Sequence, residues 1–342
     1  MHIAFWTLSL AAAVLLAGFL YQVLGSRRDR RRFTAEGRWA GAGNGCDLYL
    51  YELGSGELTV VFEAGIGATH LNWRRVQEST SKFAGTVSYD RGGLGWSSRC
   101  RSARTPANVA RELYRMLEGA GIKPPLVLIG HSFGGLVMRR FALLYPDDVA
   151  GVVLIDPMRC EEWPPLDPSK QSQLDLGRRL IRYAQPVVSC GLARLLVRFL
   201  FGRPGNLSEQ VARAAGSNPH FVLSRIKTEV RKMPPVVWPA IAAHWSRPSF
   251  YAGMRRHIQS IPDTVNEMHG ADPISSAIPV TVLTPASSAP LGQQELNRIG
   301  ADAHQVIATR SGHWIQLDEP DLVIDAIRAM VTNVVSQPVA AD

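Results

Sequence analysis

Only four cysteines occur among the 342 residues, Cys46, Cys100, Cys160 and Cys190. None forms a C-x-x-C pair and none has a histidine at metal-ligand spacing, so no metal site is expected and the thiols read as free. G-x-G-x-x-G is absent and no ribose-binding acid follows the glycine loops, which argues against a dinucleotide cofactor. Internal repeats and low-complexity stretches are missing too. Charged residues make up 19% of the chain against 46% hydrophobic, so disorder is not the dominant state, and the length allows one large core with an insertion or two small domains. A basic surface is also missing from most of the chain. Six arginines between Arg27 and Arg38, opposed only by Asp29 and Glu36, supply half of the net charge of +8. That run has no interleaved aromatics, so no nucleic acid partner is expected.

No charge occurs from Ile3 to Leu24, a stretch that reaches the ~20 apolar residues needed to cross a bilayer as a helix. It reads as a membrane anchor. A cleaved signal peptide fits less well: no basic region precedes the stretch, it is longer than the usual apolar region, and the small-residue site near Gly25 abuts arginines. Trp6 and Tyr21 suit the two interfaces, and the arginines after Leu24 hold that end in the cytoplasm by the positive-inside rule, against anionic headgroups.

Folded sequence begins at "CDLYLYELG", whose alternation suits a hairpin strand, followed by the buried strand of "LTVVFEAGIG". Helical stretches are expected around Trp73 to Phe83, Pro106 to Ala120 and Leu136 to Tyr145. Between them lie the strands "GTVSYD", Leu126 to Ile129, and "GVVLID". Apolar strands interleaved with helices argue for a parallel sheet covered on both faces. From Asp156 to Ile278 helical periodicity prevails and no clear strand is visible. The sheet resumes with "IPVTVLTP" and "HQVIAT", with a helix near Gln293 to Gly300 and a last one over Asp321 to Val335. The expected order is an anchor (1–25), a basic linker (26–44), core (45–158), a helical lid (159–276), core (277–336) and a tail (337–342).

Gly130-His131-Ser132-Phe133-Gly134 is a G-x-S-x-G pattern placed directly after a strand and before a helix, the context that gives it meaning as a nucleophile elbow. A sharp turn there strains the serine backbone and leaves no room for a Cβ at the flanking glycines. Such a serine needs a base from elsewhere. Of the nine histidines, His313 in "SGHWIQLDEP" follows the last strand and so shares the elbow's edge of the sheet. His131 is expected to point away on the turn, His304 precedes the last strand, and the others, His70 aside, fall in the lid or the membrane segment. The orienting carboxylate is not found after "IPVTVLTP", where Ala286, Ser287, Ser288 and Ala289 stand. Asp156 closes the preceding strand and is the choice; Asp302 is the rival, and Asp156 as a mere helix cap is the plain alternative. Backbone N–H groups of Ile66 and Phe133 are the candidate oxyanion donors. "YDRGGLGWS" reads as scaffolding beside the site, with Asp90 and Arg91 paired within the fold. Trp163, Trp238, Trp245, Phe250 and Tyr251 offer either an acyl pocket or lid core. Arg194 and Arg198, one turn apart, would let their helix lie on an anionic membrane.

Elbow, glycine loop, "YDRGGLGWS" and "SGHWIQLDEP" together resemble the α/β-hydrolase superfamily from about Asp47 to Val335, the lid excepted. The chain looks most like bacterial membrane-anchored members, with "VVFEAGIGATHLNW" before the elbow and "VLIDPMRCEEWPP" after it. The resemblance implies the α/β class: a mainly parallel sheet of about eight strands with helices on both faces, a helical lid after the sixth strand, a Ser-His-acid triad and no cofactor. It also implies a bacterial inner-membrane location, and the positive-inside rule puts the catalytic body on the cytoplasmic side. Epoxide hydrolases and haloalkane dehalogenases of this superfamily carry Asp at the nucleophile position, so Ser132 points instead to chemistry through an acyl-enzyme. The expectation is hydrolysis of a carboxylic ester or lipid-like substrate by Ser132, His313 and Asp156. Acyltransferase, thioesterase and amidase activity with the same residues are the alternatives, as is a ligand-binding protein with a vestigial triad.

Overall fold

A computed structural model of the chain describes residues 2–160, 168–201, 228–288 and 290–336. Its centre is one eight-stranded sheet made of β1 (Arg38–Gly41), β2 (Asp47–Leu53), β3 (Thr59–Glu63), β4 (Gly85–Tyr89), β5 (Leu126–His131), β6 (Val149–Ile155), β7 (Val280–Pro285) and β8 (His304–Ala308). Spatial order is β1-β2-β4-β3-β5-β6-β7-β8. β1 pairs antiparallel with β2 and β2 antiparallel with β4, while the remaining pairs are parallel. The sheet order reverses beside β3 and β5, where chain crossovers go to opposite faces and leave a crevice at the strand C-termini.

Helices cover both faces, which is why the central strands are apolar at nearly every position rather than alternating. On one face Leu126, Leu128, Val152 and Val282 pack with α3 (Pro106–Ala120) and α4 (Phe133–Leu144). On the other, Val127, Ile129, Val153 and Leu283 pack with α2 (Arg74–Thr80) and the C-terminal helix Pro320–Ser336. Each fully buried side chain of this kind contributes about 2 kcal/mol from its area alone. The start of α3 combines Thr105 as N-cap with Pro106 at the first turn, and its end is the left-handed Gly121, so sequence sets both boundaries locally.

Between β6 and β7 the described residues form helices and loops with no strand of the sheet: α5 (Pro168–Ser189), α6 (Leu192–Phe201), α7 (Trp238–Trp245), α8 (Pro248–Gln259) and α9 (Ile261–Met268). Trp163 lies outside the described residues. The chain ends through α10 (Gln293–Ile299), the short α11 (Ile315–Asp318) and α12 (Pro320–Ser336).

Two expectations need correction. The segment 26–44 is not a linker: α1 runs unbroken over His2–Phe33 and β1 follows at once as the sheet's edge. Once an apolar helix is formed, continuing it through arginines costs little, because Arg is a good helix former. The four cysteines are also not all free, since Cys46 and Cys100 form a disulfide, leaving Cys160 and Cys190 as thiols. The β1–β2 turn and the loop after β4 bring together cysteines 54 residues apart, a pairing invisible to local spacing.

Candidate active site

β5 ends at His131 and α4 starts at Phe133, so a single residue, Ser132, makes the whole turn. Its backbone sits at φ 55° and ψ −121°, a conformation that costs a non-glycine residue about 1–3 kcal/mol and persists only where the surroundings enforce it. They do so by hydrogen bonds: Ser132 N–H donates to the Ile155 carbonyl at 3.0 Å, and the Ser132 carbonyl accepts from Gly135 at 2.9 Å and Met158 at 3.1 Å. A Cβ at Gly130 would lie 2.5 Å from the Gly134 carbonyl oxygen, and one at Gly134 would lie 2.7 Å from that of Ala64. The flanking glycines thus let strand, helix and the end of β3 meet without a side chain between them.

His313 stands in the loop between β8 and α11, at the same edge of the sheet. Its Nδ1 lies 2.6 Å from Asp156 Oδ2. Asp156 follows β6 directly, and its N–H donates to the Leu283 carbonyl at 2.7 Å while its backbone takes the left-handed φ of 39°. Asp residues tolerate that region better than most. The other carboxylate considered, Asp302, is exposed in the turn that leads into β8, so it sits at the opposite end of the parallel strands from His313.

His131 does not point away. Its ring lies 4.7 Å from that of His313, and its Nε2 is 2.9 Å from the His313 carbonyl oxygen. Only a protonated Nε2 can donate to that carbonyl, which leaves Nδ1 as the bare nitrogen facing Gly65. Burial, with His313 and Arg91 nearby, lowers the His131 pKa to about 3, so the ring is neutral and acts as a wedge between elbow and His313 loop. Among the described residues no hydrogen bond joins Ser132 to His313, as is common before substrate tightens such contacts.

The glycine loop after β3 lies against the elbow. A Cβ on Gly65 would be 3.4 Å from the Ser132 Cβ. Among the described residues no acceptor takes the N–H of Ile66 or of Phe133, and Phe133 opens α4, whose N-terminal dipole end favours negative charge. Arg91 holds this loop in place, a role not visible in the sequence. It donates to Glu63 at 2.8 Å and to the carbonyls of Ala64 and Gly65, and its guanidinium stacks 5.1 Å from the Phe133 ring. Burial pushes the Glu63 carboxyl up to about 7 despite Arg91 and the Tyr89 hydroxyl, which donates to it. Asp90 pairs instead with His70 Nδ1 at 2.8 Å and with the N–H groups of His70 and Trp96. Burial opposes the Asp90 charge, but His70 holds its carboxyl below the usual value. Asp90 and Arg91 are therefore both paired within the fold, with different partners.

α8 crosses above the loop. Met254 Sδ would lie 2.7 Å from a Cβ on Gly67, Phe250 Cζ 4.0 Å, and His257 meets the Phe133 ring edge-on at 5.5 Å. Phe250 and Tyr251 are in T-shaped contact at 5.3 Å. Trp238 instead donates its indole N–H to the Met233 carbonyl at 2.9 Å and packs, with Trp245, in a separate cluster around Leu71 and Val237. Of the described aromatics proposed for a pocket, Phe250 reaches the glycine loop after β3.

The family model described as "alpha/beta hydrolase fold" matches residues 59–220. The Bacillus subtilis protein YqjL is 34% identical over 115 residues, which is 33% of this chain and 46% of that protein, so the match spans about half of that relative. A protein of Gibberella zeae named as an AB hydrolase superfamily protein is 24% identical over 290 residues, covering 79% of this chain and 85% of its own length. Among solved structures, the epoxide hydrolase CorEH superposes with a TM-score of 0.64 at 17% identity, covering 87% of this chain and 99% of that one. At that identity the likeness speaks for the fold.

Proposed function

The chain belongs to the α/β-hydrolase superfamily, and from that premise we propose that it is a membrane-anchored serine hydrolase of carboxylic esters. The observation that carries the reading is the strained Ser132 turn standing beside a His313–Asp156 pair. Ser132 Oγ attacks the ester carbonyl while His313 Nε2 takes its proton. Asp156, on Nδ1, fixes the tautomer that leaves Nε2 free to accept and stabilises the imidazolium that results. The N–H groups of Ile66 and Phe133 receive the oxyanion. His313 then returns the proton to the leaving alcohol, and water, deprotonated by the same ring, releases the acid from the acyl-enzyme. A serine rather than an aspartate at the elbow favours this route over the alkyl-ester route of epoxide hydrolases. The helices between β6 and β7 serve as the lid, with Phe250 and Met254 of α8 over the acyl-binding side.

α1 serves as the anchor: Ala4–Phe33 is long and apolar enough to span a bilayer, and its most apolar stretch is almost wholly exposed. Its arginines place the body on the cytoplasmic side. The Cys46–Cys100 disulfide pulls the other way, since such bonds persist mainly in oxidising compartments; the near-complete burial of both cysteines is what would let it outlast a reducing one.

Hydrolysis of short p-nitrophenyl esters tests the reading. Wild-type protein should turn them over and Ser132→Ala should not; equal rates from the two would exclude Ser132 as nucleophile.

A further inference from the structure

Arg194 does not face lipid. Its side chain is buried against α1, donating to Gln22 Oε1 at 3.2 Å, Ser26 Oγ at 3.1 Å and Asp29 Oδ2 at 2.5 Å. One turn earlier the backbones themselves touch. A Cβ on Gly18 would collide with the Cys190 carbonyl, and one on Gly191 would lie 2.6 Å from the Gly18 carbonyl oxygen. Glycine at 18 and at 191 lets the turn between the two helices sit directly on the backbone of α1. α5 and α6 therefore form a hairpin whose tip, Cys190–Gly191, is fastened to the middle of the anchor, not to its end.

The residues the hairpin leaves exposed carry the argument further. Around the tip Val187, Leu192, Leu195 and Leu196 are each about half exposed. At 1.5 Å per residue, Leu24 of α1 lies ~9 Å from Gly18 and Arg27 ~14 Å. On α5 the exposed Tyr183 lies ~10 Å from the tip and Arg182 ~12 Å; on α6, Leu196 lies ~8 Å and Arg198 ~10 Å. Arginines on three helices thus stand at a similar distance from the crossing, with Tyr183 beside one of them, the residue types that hold a membrane interface, although α6 turns apolar again after Arg198. Arg179, Arg182 and Arg255 with Gln259 border a cavity of about 290 Å³ between α5 and α8, and Arg27, Arg28, Arg31 and Arg32 stand exposed along α1. Arg179, Arg182 and Arg255 pair with no carboxylate among the described residues. Arginine forks left without acids match phosphate geometry.

We propose that the α5–α6 hairpin is a second membrane-inserting element, its tip in the hydrocarbon beside α1 and its arginines on the phosphates of an anionic bilayer, so that the site takes an amphiphilic ester from the bilayer. The route from lipid to site is short: α5 packs along α8, and α8 carries Phe250 and Met254 against the Gly67 loop. This rests on the reading of α1 as a bilayer span and, for the substrate, on Ser132 as nucleophile.

Spin labels test the depth on full-length protein in vesicles of phosphatidylcholine and phosphatidylglycerol. They are placed one at a time through Val187→Cys, Leu195→Cys, Leu196→Cys, Arg198→Cys and Val335→Cys in a Cys190→Ala background. Labels at 187, 195 and 196 should collide preferentially with oxygen, and those at 198 and 335 with a water-soluble nickel complex. Water-type collisions at 195 and 196, equal to those at 335, would overturn the insertion. For the substrate route, the double variant Leu195→Asp, Leu196→Asp should lose about tenfold or more against a long-chain ester embedded in vesicles while hydrolysis of a soluble short ester stays within about twofold. An equal effect on both esters would overturn the route. Because the labels read depth without turnover, a wild-type protein inert to every ester would sink the hydrolase reading and leave the insertion standing on its own measurement.

Discussion

Replacing Asp156 by Asn separates the roles assigned around His313 more sharply than any other single change. The backbone at 156 is left-handed, at φ 39°, and Asn is among the few residues that adopt this region readily, so the substitution adds no backbone strain. Its amide can still reach His313 Nδ1, now 2.6 Å from the Asp156 carboxylate. An NH₂ group in that place donates to Nδ1 and moves the imidazole proton to Nε2, where it blocks acceptance of the serine proton. A fully buried pair would lose about 10⁴ in kcat by this tautomer error. Here the His313 and Asp156 side chains are 41% and 15% exposed, so water can support part of the productive tautomer. The expected loss is about a thousandfold, or ~4 kcal/mol of transition-state stabilisation. Asp302→Asn, changed at the far end of β8, should leave kcat within about twofold. Initial rates on a short p-nitrophenyl ester, with circular dichroism to confirm folding, provide the comparison. A loss below about tenfold for Asp156→Asn, or a large one for Asp302→Asn, would refute the reasoning.

Three further outcomes follow from the structure. Arg91→Met should destabilise the fold by about 3 kcal/mol or more, because it strands the Glu63 carboxyl, and adding Glu63→Gln should recover much of that; thermal denaturation of the single and double variants checks it. Burial holds His131 and His244 near a pKa of about 3, so the unfolded chain binds protons at these sites first; their contribution is complete above about pH 6.5 and is lost as pH falls toward 3. His257, held well below its ordinary value by burial, adds to this loss, while Glu63, pushed up to about 7, gains about 2 kcal/mol by protonating in the fold; urea denaturation at pH 5.5 should therefore show a net loss of about 2 kcal/mol against pH 7.5, and a flat profile would contradict the neutral burial of the rings. For Cys46 and Cys100, maleimide added to protein denatured without reductant should modify two cysteines, Cys160 and Cys190; modification of all four would show the pair to be open.

Much of this site is local in character, and that part was legible in the sequence. The elbow needs strand, glycine, serine, glycine and helix in succession, and β5, Ser132 and α4 supply them contiguously. His313 and Asp156 could be placed because each ends or follows a strand, and parallel strands bring all such ends to one edge. Sheet class was legible for the same reason, the apolar run of a doubly covered strand, and the five core helices the sequence placed lie within about three residues of their bounds. What escaped the sequence depends on side chains reaching across the fold. The direction of the His131 ring is set by the His313 carbonyl, 182 residues away. Arg91 looks like one more loop arginine until β3 is laid beside β4, which puts Glu63 within its reach. Arg194 has the spacing of a lipid-facing residue, yet Asp29 and Gln22 of a helix far earlier in the chain claim it.

The central claim is that Ser132 is the nucleophile, and covalent capture tests it most directly. Full-length protein in detergent, treated with a fluorophosphonate, digested and mapped by mass spectrometry, should carry the phosphonate on the peptide containing Gly130-His131-Ser132-Phe133-Gly134, at Ser132, and Asp156→Asn should slow its formation. Labelling that persists unchanged in Ser132→Ala, or that maps to another residue in the wild type, would contradict the account.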